Sequence, residues 1–288
     1  MIRSLFAFSA LALVCVTNAR ADFSYPNFAS TAGLTINGNA TTAVTGDGSV
    51  LRLTPAATGQ GGSAFTTSQV SLGAGASFST FFQFRFTNAG GISPADGIAF
   101  VLQTVNNNVG GAGGGLGYVG IANSVAVEFD TFNNGSGFGD PNGNHVAIDT
   151  GGNLNGSGVI VNGQSNCANT ATVAGTPNCM ANGDIWSVWI DYDGTTLQVA
   201  LADNSTVRPA NIINQAINIP SFTGSTSAFV GFTGATGAGF ENQDILNWQL
   251  VQRFAPINSA VPEPSSWTLL TTVVGLFGFA YKRRRQAA

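Results

Sequence analysis

The segment Phe78-Ser-Thr-Phe-Phe-Gln-Phe-Arg-Phe86 sets Phe78, Phe82, Phe84 and Phe86 on one parity. A period of two places those four rings on one face of a strand, as a sheet with one buried face requires. Short runs of the same kind recur between clusters of Gly, Asn and Ser. They include Val50-Leu-Arg-Leu53, Gly97-Ile-Ala-Phe-Val-Leu102, Val125 to Phe129, His145 to Ile148 and Ile185-Trp-Ser-Val-Trp-Ile190. Further on come Leu197 to Leu201, Phe229-Val-Gly-Phe232 and Leu246-Asn-Trp248. Outside the two ends, no run reaches helix length with a 3.6 period. Thirty-eight glycines supply the tight turns that such short strands need. The pattern predicts a single all-β domain over residues 22–254, a two-sheet antiparallel sandwich or jelly roll.

The two ends follow other rules. Met1-Ile-Arg3, an apolar stretch from Leu5 to Val16 and Asn18-Ala-Arg-Ala21 form a basic region, a hydrophobic core and an A-x-A-type cleavage site. This is the make-up of a signal peptide over residues 1–21, a helix removed on export. At the other end, a linker over 255–264 holds Val261-Pro-Glu-Pro264, an apolar segment runs over 265–281, and Lys282-Arg-Arg-Arg285 begins a basic tail over 282–288. The apolar segment predicts a short transmembrane helix with its basic side in the cytoplasm. A plain tail anchor has the same parts. The order V-P-E-P, hydrophobic segment, arginine cluster and chain end is similar to the PEP-CTERM sorting signal. That resemblance implies processing by an exosortase-type enzyme in an exopolysaccharide-producing Gram-negative bacterium. The protein would then be held in the membrane before processing and placed in the cell envelope, at the surface or in the extracellular matrix afterwards.

Between those ends, Arg52, Arg85, Arg208 and Arg253 face thirteen of the fourteen acidic residues. No basic patch is left to follow a phosphate backbone, which excludes nucleic acid as a partner. Cys15 leaves with the signal. Cys167 and Cys179 lie in the polar stretch 162–184. An exported setting predicts a disulfide closing a loop with little core of its own, two free thiols being the alternative.

Only 8% of residues are charged, yet Glu128, Asp130, Asp140 and the sole histidine, His145, fall within eighteen positions. Val125, Val127 and Phe129 alternate with Glu128 and Asp130, so the two carboxylates share a strand face. Side by side they repel unless a cation lies between them or their pKa values split. Carboxylates with a carbonyl and an amide suit calcium. Carboxylates with one imidazole suit manganese or another transition ion. The run is therefore a candidate two-metal site, although an E-x-D strand also occurs as a solvated face and a lone histidine as a surface or core residue.

Ser124-Val-Ala-Val-Glu-Phe-Asp-Thr-Phe-Asn133 and Asp140-Pro-Asn-Gly-Asn-His-Val-Ala-Ile-Asp149 resemble the metal loop of the legume-type (L-type) lectins. Other segments follow in that family's order: Phe23-Ser-Tyr-Pro-Asn-Phe28, Pro94-Ala-Asp-Gly-Ile-Ala-Phe100, Gly113-Gly-Gly-Leu-Gly117, and Val230 to Gly237 with Asp244-Ile-Leu-Asn-Trp248. The resemblance implies a concanavalin A-like jelly roll that binds calcium, manganese and carbohydrate. It gives Glu128, Asp130, Asp140 and His145 to the transition ion. Asp130, Asp140, the carbonyl of Phe132 and the side chain of Asn134 go to calcium. It makes Asp96 the acceptor for two sugar hydroxyls, after a cis Ala95–Asp96 peptide. Gly114 and Asn134 become donors, the ring of Phe132 a stacking plate, and main chain at Gly237 and Ala238 the variable wall. The stretch Asn134 to Asp140 is one residue longer than in many members of the family, which predicts a bulge over Gly135 to Gly139; Ala147 replaces a common glycine, and the loop 162–184 matches no family segment.

Glycoside hydrolases with this type of sandwich carry a second glutamate on the same strand face. Phe132 and Asn133 stand at the corresponding positions and can neither protonate nor attack a glycosidic centre. The single histidine belongs to the metal loop, which leaves no nucleophilic triad. The expectation is an exported lectin without catalysis whose partner is carbohydrate or exopolysaccharide. A structural matrix protein that has lost sugar binding is the alternative.

Overall fold

The computed structural model describes residues 23–163, 167 and 178–257. The expected signal helix, the V-P-E-P motif, the hydrophobic helix and the basic tail lie outside the described residues. Among the latter, sixteen strands run in order: β1 (Phe23–Tyr25), β2 (Leu34–Gly38), β3 (Thr41–Thr45), β4 (Gly48–Thr54), β5 (Gly61–Thr66), β6 (Val70–Ser71), β7 (Phe78–Gly91) and β8 (Gly97–Gln103). There follow β9 (Ser124–Asp130), β10 (His145–Thr150), β11 (Val159–Ile160), β12 (Trp186–Tyr192), β13 (Thr196–Asp203), β14 (Ile213–Ala216), β15 (Ser227–Ala235) and β16 (Gly239–Val251). A five-residue helix, α1 (Ile219–Thr223), carries Pro220 in its first turn and is too short to show a helical period in the sequence.

The strands form two antiparallel sheets. The first has the order β14-β13-β12-β7-β16-β4-β3, with β1 also on β16. The second has the order β11-β10-β9-β8-β15-β5-β2, with β6 beside β15. This is the expected all-β jelly-roll sandwich. Its core lies between the sheets, where Phe82 meets Phe100, Phe129 and Phe232 at ring-centre distances of 6.0, 5.8 and 4.9 Å. Phe78, Phe84 and Phe86 share that interior, as their parity requires. Each buried ring contributes about 1.5–3 kcal/mol of hydrophobic stabilisation.

Phe81, on the opposite parity, is buried as well. On the outer face of the first sheet it packs with Trp189 and Ala200, and Ile257 covers them. The chain after β16 lies along this face. Phe254 N–H donates to Ser77 Oγ at 2.8 Å and Ala255 N–H to Ser79 Oγ at 3.0 Å.

Cys167 and Cys179 form a disulfide, and Cys179, Met180 and Ala181 join the main core.

Candidate functional site

Four neighbouring strands of the second sheet end at one level. Ala235, Gly97, Asp130 and His145 stand in register on β15, β8, β9 and β10. Asp96 immediately precedes this row, the β9–β10 loop connects two of its members, and Thr236 to Ala238 leave from a third. One 3-10 turn at Gly113–Gly115 closes the remaining side, with Gly113 N–H donating to Thr236 O at 3.1 Å. The row depends on Gly97 (φ +126°), where an added Cβ would meet Phe129 O at 2.3 Å.

Glu128, Asp130 and His145 offer donor atoms that all lie within 4.8 Å of one another, in full burial. His145 Nε2 is 3.2 Å from Glu128 Oε1 and 4.0 Å from Asp140 Oδ1. Its Nδ1 lies 2.8 Å from the carbonyl of Asn142. A carbonyl only accepts, so Nδ1 carries the proton and Nε2 turns a lone pair toward the carboxyls. Burial lowers the imidazole pKa and keeps the ring neutral. Burial, then the charge of Asp140, lifts Glu128 to about 8. Burial also raises Asp140. Asp130 is held well above the carboxylate range, first by burial and then by Glu128 and Asp140.

Glu128 Oε2, Asp130 Oδ2, Asp140 Oδ1 and Asn134 Oδ1 are buried without a hydrogen-bond partner among the described residues. Among the described residues no Arg or Lys pairs with these carboxyls. Desolvated acceptors without a compensating charge are costly, and a divalent ion satisfies such a set. Carboxyls, an imidazole and an amide oxygen are donor types that divalent ions take. The residues present fit a metal site.

The β9–β10 loop is shaped by its own carboxyls. Phe132 N–H donates to Asp130 Oδ1 at 2.8 Å and Asn134 N–H to Asp140 Oδ2 at 2.5 Å. The loop turns over 135–138, where Phe138 N–H donates to Gly135 O at 2.9 Å. The amide of Asn134 lies over Gly114, where a Cβ would come within 2.5–2.7 Å of it, so only glycine admits this contact.

The peptide Ala95–Asp96 is cis, as expected. Asp96 is 3% exposed. Its N–H donates to Ala235 O at 3.0 Å and its carbonyl accepts from Thr131 N–H at 2.9 Å. Burial raises the carboxyl to about 6 against the opposing hydrogen bonds from Asn134 and the Gly237 main chain. Among the described residues Oδ2 has no hydrogen-bond partner; it sits 3.2 Å from where a Cβ on Gly237 would be, so bare main chain lies against the carboxyl. Asp96, Asn134, Gly114 and Gly237 are thus brought together. Phe132 is half-buried and Ala238 is exposed at the tip of its turn.

Two more acids enter the region from positions not singled out by sequence reasoning. Asp149 shares its strand face with His145, and its Oδ1 accepts from Asn155 and Gly156 N–H at 2.7 and 2.8 Å. Burial and then Glu128 raise it to about 8. Strand parity with His145 was the available signal. Glu241, on β16, is fully buried and accepts from Thr131 Oγ1 at 3.0 Å. It is raised far above its usual range, chiefly by burial. Nothing local in the sequence links it to Thr131.

A recess of about 620 Å³ elsewhere on the surface, bordered by Leu72, Tyr192, Thr195, Ile217 and Pro220, has no carboxylate or cationic side chain in its lining. The chemistry is concentrated at the row of strand ends.

A profile of the legume lectin domain matches residues 20–264. The L-type lectin-domain containing receptor kinase VIII.1 of Arabidopsis thaliana is 32% identical over 215 residues, 73% of this chain and 27% of that protein. The chain therefore spans about a quarter of that relative. The bark lectin of Styphnolobium japonicum is 34% identical over 194 residues, 62% of each chain. Lectin II from Ulex europaeus superposes with a TM-score of 0.64 at 25% identity, over 82% of this chain and all of that one. A Bauhinia forficata lectin in complex with GalNAc shares the fold, with a TM-score of 0.63 at 24% identity over 79% of this chain and 96% of its own. A family profile across most of the sequence and the same two-sheet fold lead to one conclusion: the chain belongs to the legume lectin domain family.

Proposed function

We propose that the domain is a non-catalytic, metal-dependent lectin that binds carbohydrate through Asp96. The observation that carries this is the unpartnered Oδ2 of Asp96, held beside Gly237 and Asn134 and one peptide away from the carboxylate–imidazole cluster. A sugar presents vicinal hydroxyls, which call for an ionised acceptor, fixed donors and an apolar plate. Asp96 supplies the acceptor, Gly114 N–H and the Asn134 amide the donors, and Phe132 the plate, while Gly237 and Ala238 form the outer wall. Glu128, Asp130, Asp140 and His145 would hold the transition ion. Asp130, Asp140, the Phe132 carbonyl and Asn134 would hold calcium. Bound ions supply positive charge that keeps these carboxyls ionised and fixes the β9–β10 loop. Through Thr131 N–H on the Asp96 carbonyl, that loop holds the sugar acceptor in place.

The non-catalytic reading rests on side-chain chemistry. Phe132 and Asn133 stand where a glycoside hydrolase of this type needs its second glutamate, and Asp149, the carboxyl beside Glu128, is engaged by Asn155 and Gly156 N–H. Carbohydrate of the cell surface or an exopolysaccharide is the proposed partner. Export, the disposition of residues 1–21 and 255–288 given above, and exosortase-type processing complete the reading. Weak sites repeated on a surface against a polymeric glycan gain avidity.

A glycan array with metallated protein, repeated in chelator and with Asp96→Ala, tests it. Binding in calcium and manganese should vanish in both controls with the melting temperature of Asp96→Ala held near that of wild type. Undiminished binding by Asp96→Ala would place the site elsewhere. Fully metallated wild type that captures no glycan would favour the structural-protein reading.

A further inference from the structure

The residue that precedes the imidazole is tied to the disulfide. Asn144 is fully buried. Its Oδ1 accepts from Met180 N–H at 3.0 Å and its Nδ2 donates to Asn178 O at 3.0 Å, on either side of Cys179. Its main chain is engaged too: N–H donates to Asn142 Oδ1 at 2.7 Å, and the carbonyl accepts from Val161 N–H at 3.1 Å. Asn142 in turn receives the Nδ1 proton of His145 at 2.8 Å. Against the other edge of the ring lies Gly158, where a Cβ would be 2.6 Å from His145 Cδ2. The imidazole is therefore oriented by Asn142 and by the strand that begins at Val159. Asn144 joins both to the main chain around Cys179.

We propose that Asn144 is a positioning residue for the transition-ion site, and that the Cys167–Cys179 bond acts on that site through it. The proposal rests on the metal role given above to Glu128, Asp130, Asp140 and His145. A disulfide across twelve residues restricts the positions open to Asn178 and Met180. Asn144 transmits that restriction to the turn 142–145, and His145 Nε2 is thereby presented to Glu128. Groups that orient a metal ligand without touching the ion are typically worth about 10–100-fold in affinity. Among the described residues no hydrogen bond joins the calcium donors Asp130, Phe132, Asn134 and Asp140 to Asn178 or Met180, and calcium should respond less. Metal loading in this chain is thus coupled to cysteine pairing, so that a reduced chain holds the transition ion poorly and an oxidised chain holds it well.

Manganese binding, followed by the electron paramagnetic resonance signal of the free ion, tests the coupling in the full domain. Calcium is titrated separately by calorimetry. The variants are Asn144→Ala, Asn144→Asp, the double Cys167→Ser/Cys179→Ser, and the triple that adds Asn144→Ala to the double. Asn144→Asp keeps the acceptor for Met180 N–H and loses the donor to Asn178. Asn144→Ala and the double serine variant should each weaken manganese about tenfold or more. The triple should be no weaker than either, Asn144→Asp should fall between, and calcium should shift by less than about threefold. A merely structural role would lower the melting temperature of chelated protein without this selective loss. If Asn144→Ala does not fold, Asn144→Asp carries the test. A folded Asn144 variant that binds manganese as tightly as wild type overturns the proposal alone. Wild type that takes up no manganese overturns the metal reading together with it.

Discussion

The two sheets treat their few charges in opposite ways. On the first sheet, carboxylates are answered by arginines of the same chain: Arg52 with Asp244 at 2.7 Å, Arg85 with Asp47 at 2.8 Å and Arg208 with Asp191 at 2.5 Å. Around the row of strand ends on the second sheet, Asp96, Glu128, Asp130 and Asp140, with Asp149 farther along β10 and Glu241 reaching in from β16 of the first sheet, are all buried, and among the described residues none pairs with Arg or Lys. One region is neutralised within the chain; the other is completed from solution, by protons or by cations. Burial of an acid is thus tolerated for two different reasons, and only the second leaves room for a ligand.

The largest test of that contrast is Asp130→Ala. This residue would bridge both ions, so metal analysis after incubation with calcium and manganese should fall from about two ions per chain to about none, and glycan binding should go with them. Retention of one ion would show that the two halves are independent.

Arg208→Ala probes the other sheet. It leaves Asp191, 1% exposed, without its partner, at a cost of about 3 kcal/mol in denaturant unfolding. Metal content should be unchanged. A loss of metal instead would mean that the two regions are not separate.

The pH dependence follows from the shifted carboxyls. In the metal-free fold Glu128 and Asp149 keep their protons up to about pH 8, whereas the unfolded chain releases them at about pH 4. Between those limits the folded state binds more protons, so stability falls as pH rises. The melting temperature of chelated protein should decline from about pH 5 to about pH 8, and saturating metal should remove or reverse the decline. A flat profile in chelator would mean that those carboxyls are already charged.

The smallest effect is expected at the exposed pair. Arg85 is 34% exposed in its contact with Asp47, and Arg85→Ala should cost about 0.2–1 kcal/mol, less in high salt. A larger loss would point to its 2.6 Å bond to Gly183 O.

Local patterns carried much of this into the sequence. The parity of Phe78, Phe82, Phe84 and Phe86 announced a strand with a buried face, and Glu128, Asp130, Asp140 and His145 were visible as a group because one β-hairpin holds them. Strands such as β3 and β5 were not legible. Thr41–Thr45 is an edge strand with a largely exposed pattern, and Gly61–Thr66 opens on two glycines, so neither has hydrophobic alternation to detect. Glu241 was hidden for a different reason. Its bond to Thr131 joins residues 110 positions apart, and only the register of two sheets sets them together. Asp149 was visible in principle, two strand steps beyond Ala147 on the face of His145, but an aspartate at a strand end also reads as the start of a turn.

The run of β16 has a mechanical meaning. Its first residue, Gly239, follows the wall of the site, and its last, Val251, leads into the strap that lies on the outer face of the first sheet. If the protein is held by its C-terminal side while a glycan pulls at the Gly237–Ala238 wall, the load travels lengthwise along this one strand. It is borne in shear by the ladders to β7 and β4, whose bonds must fail together, in contrast to a peeling pull that would open them singly. The strand that closes the sandwich is then also its tension member.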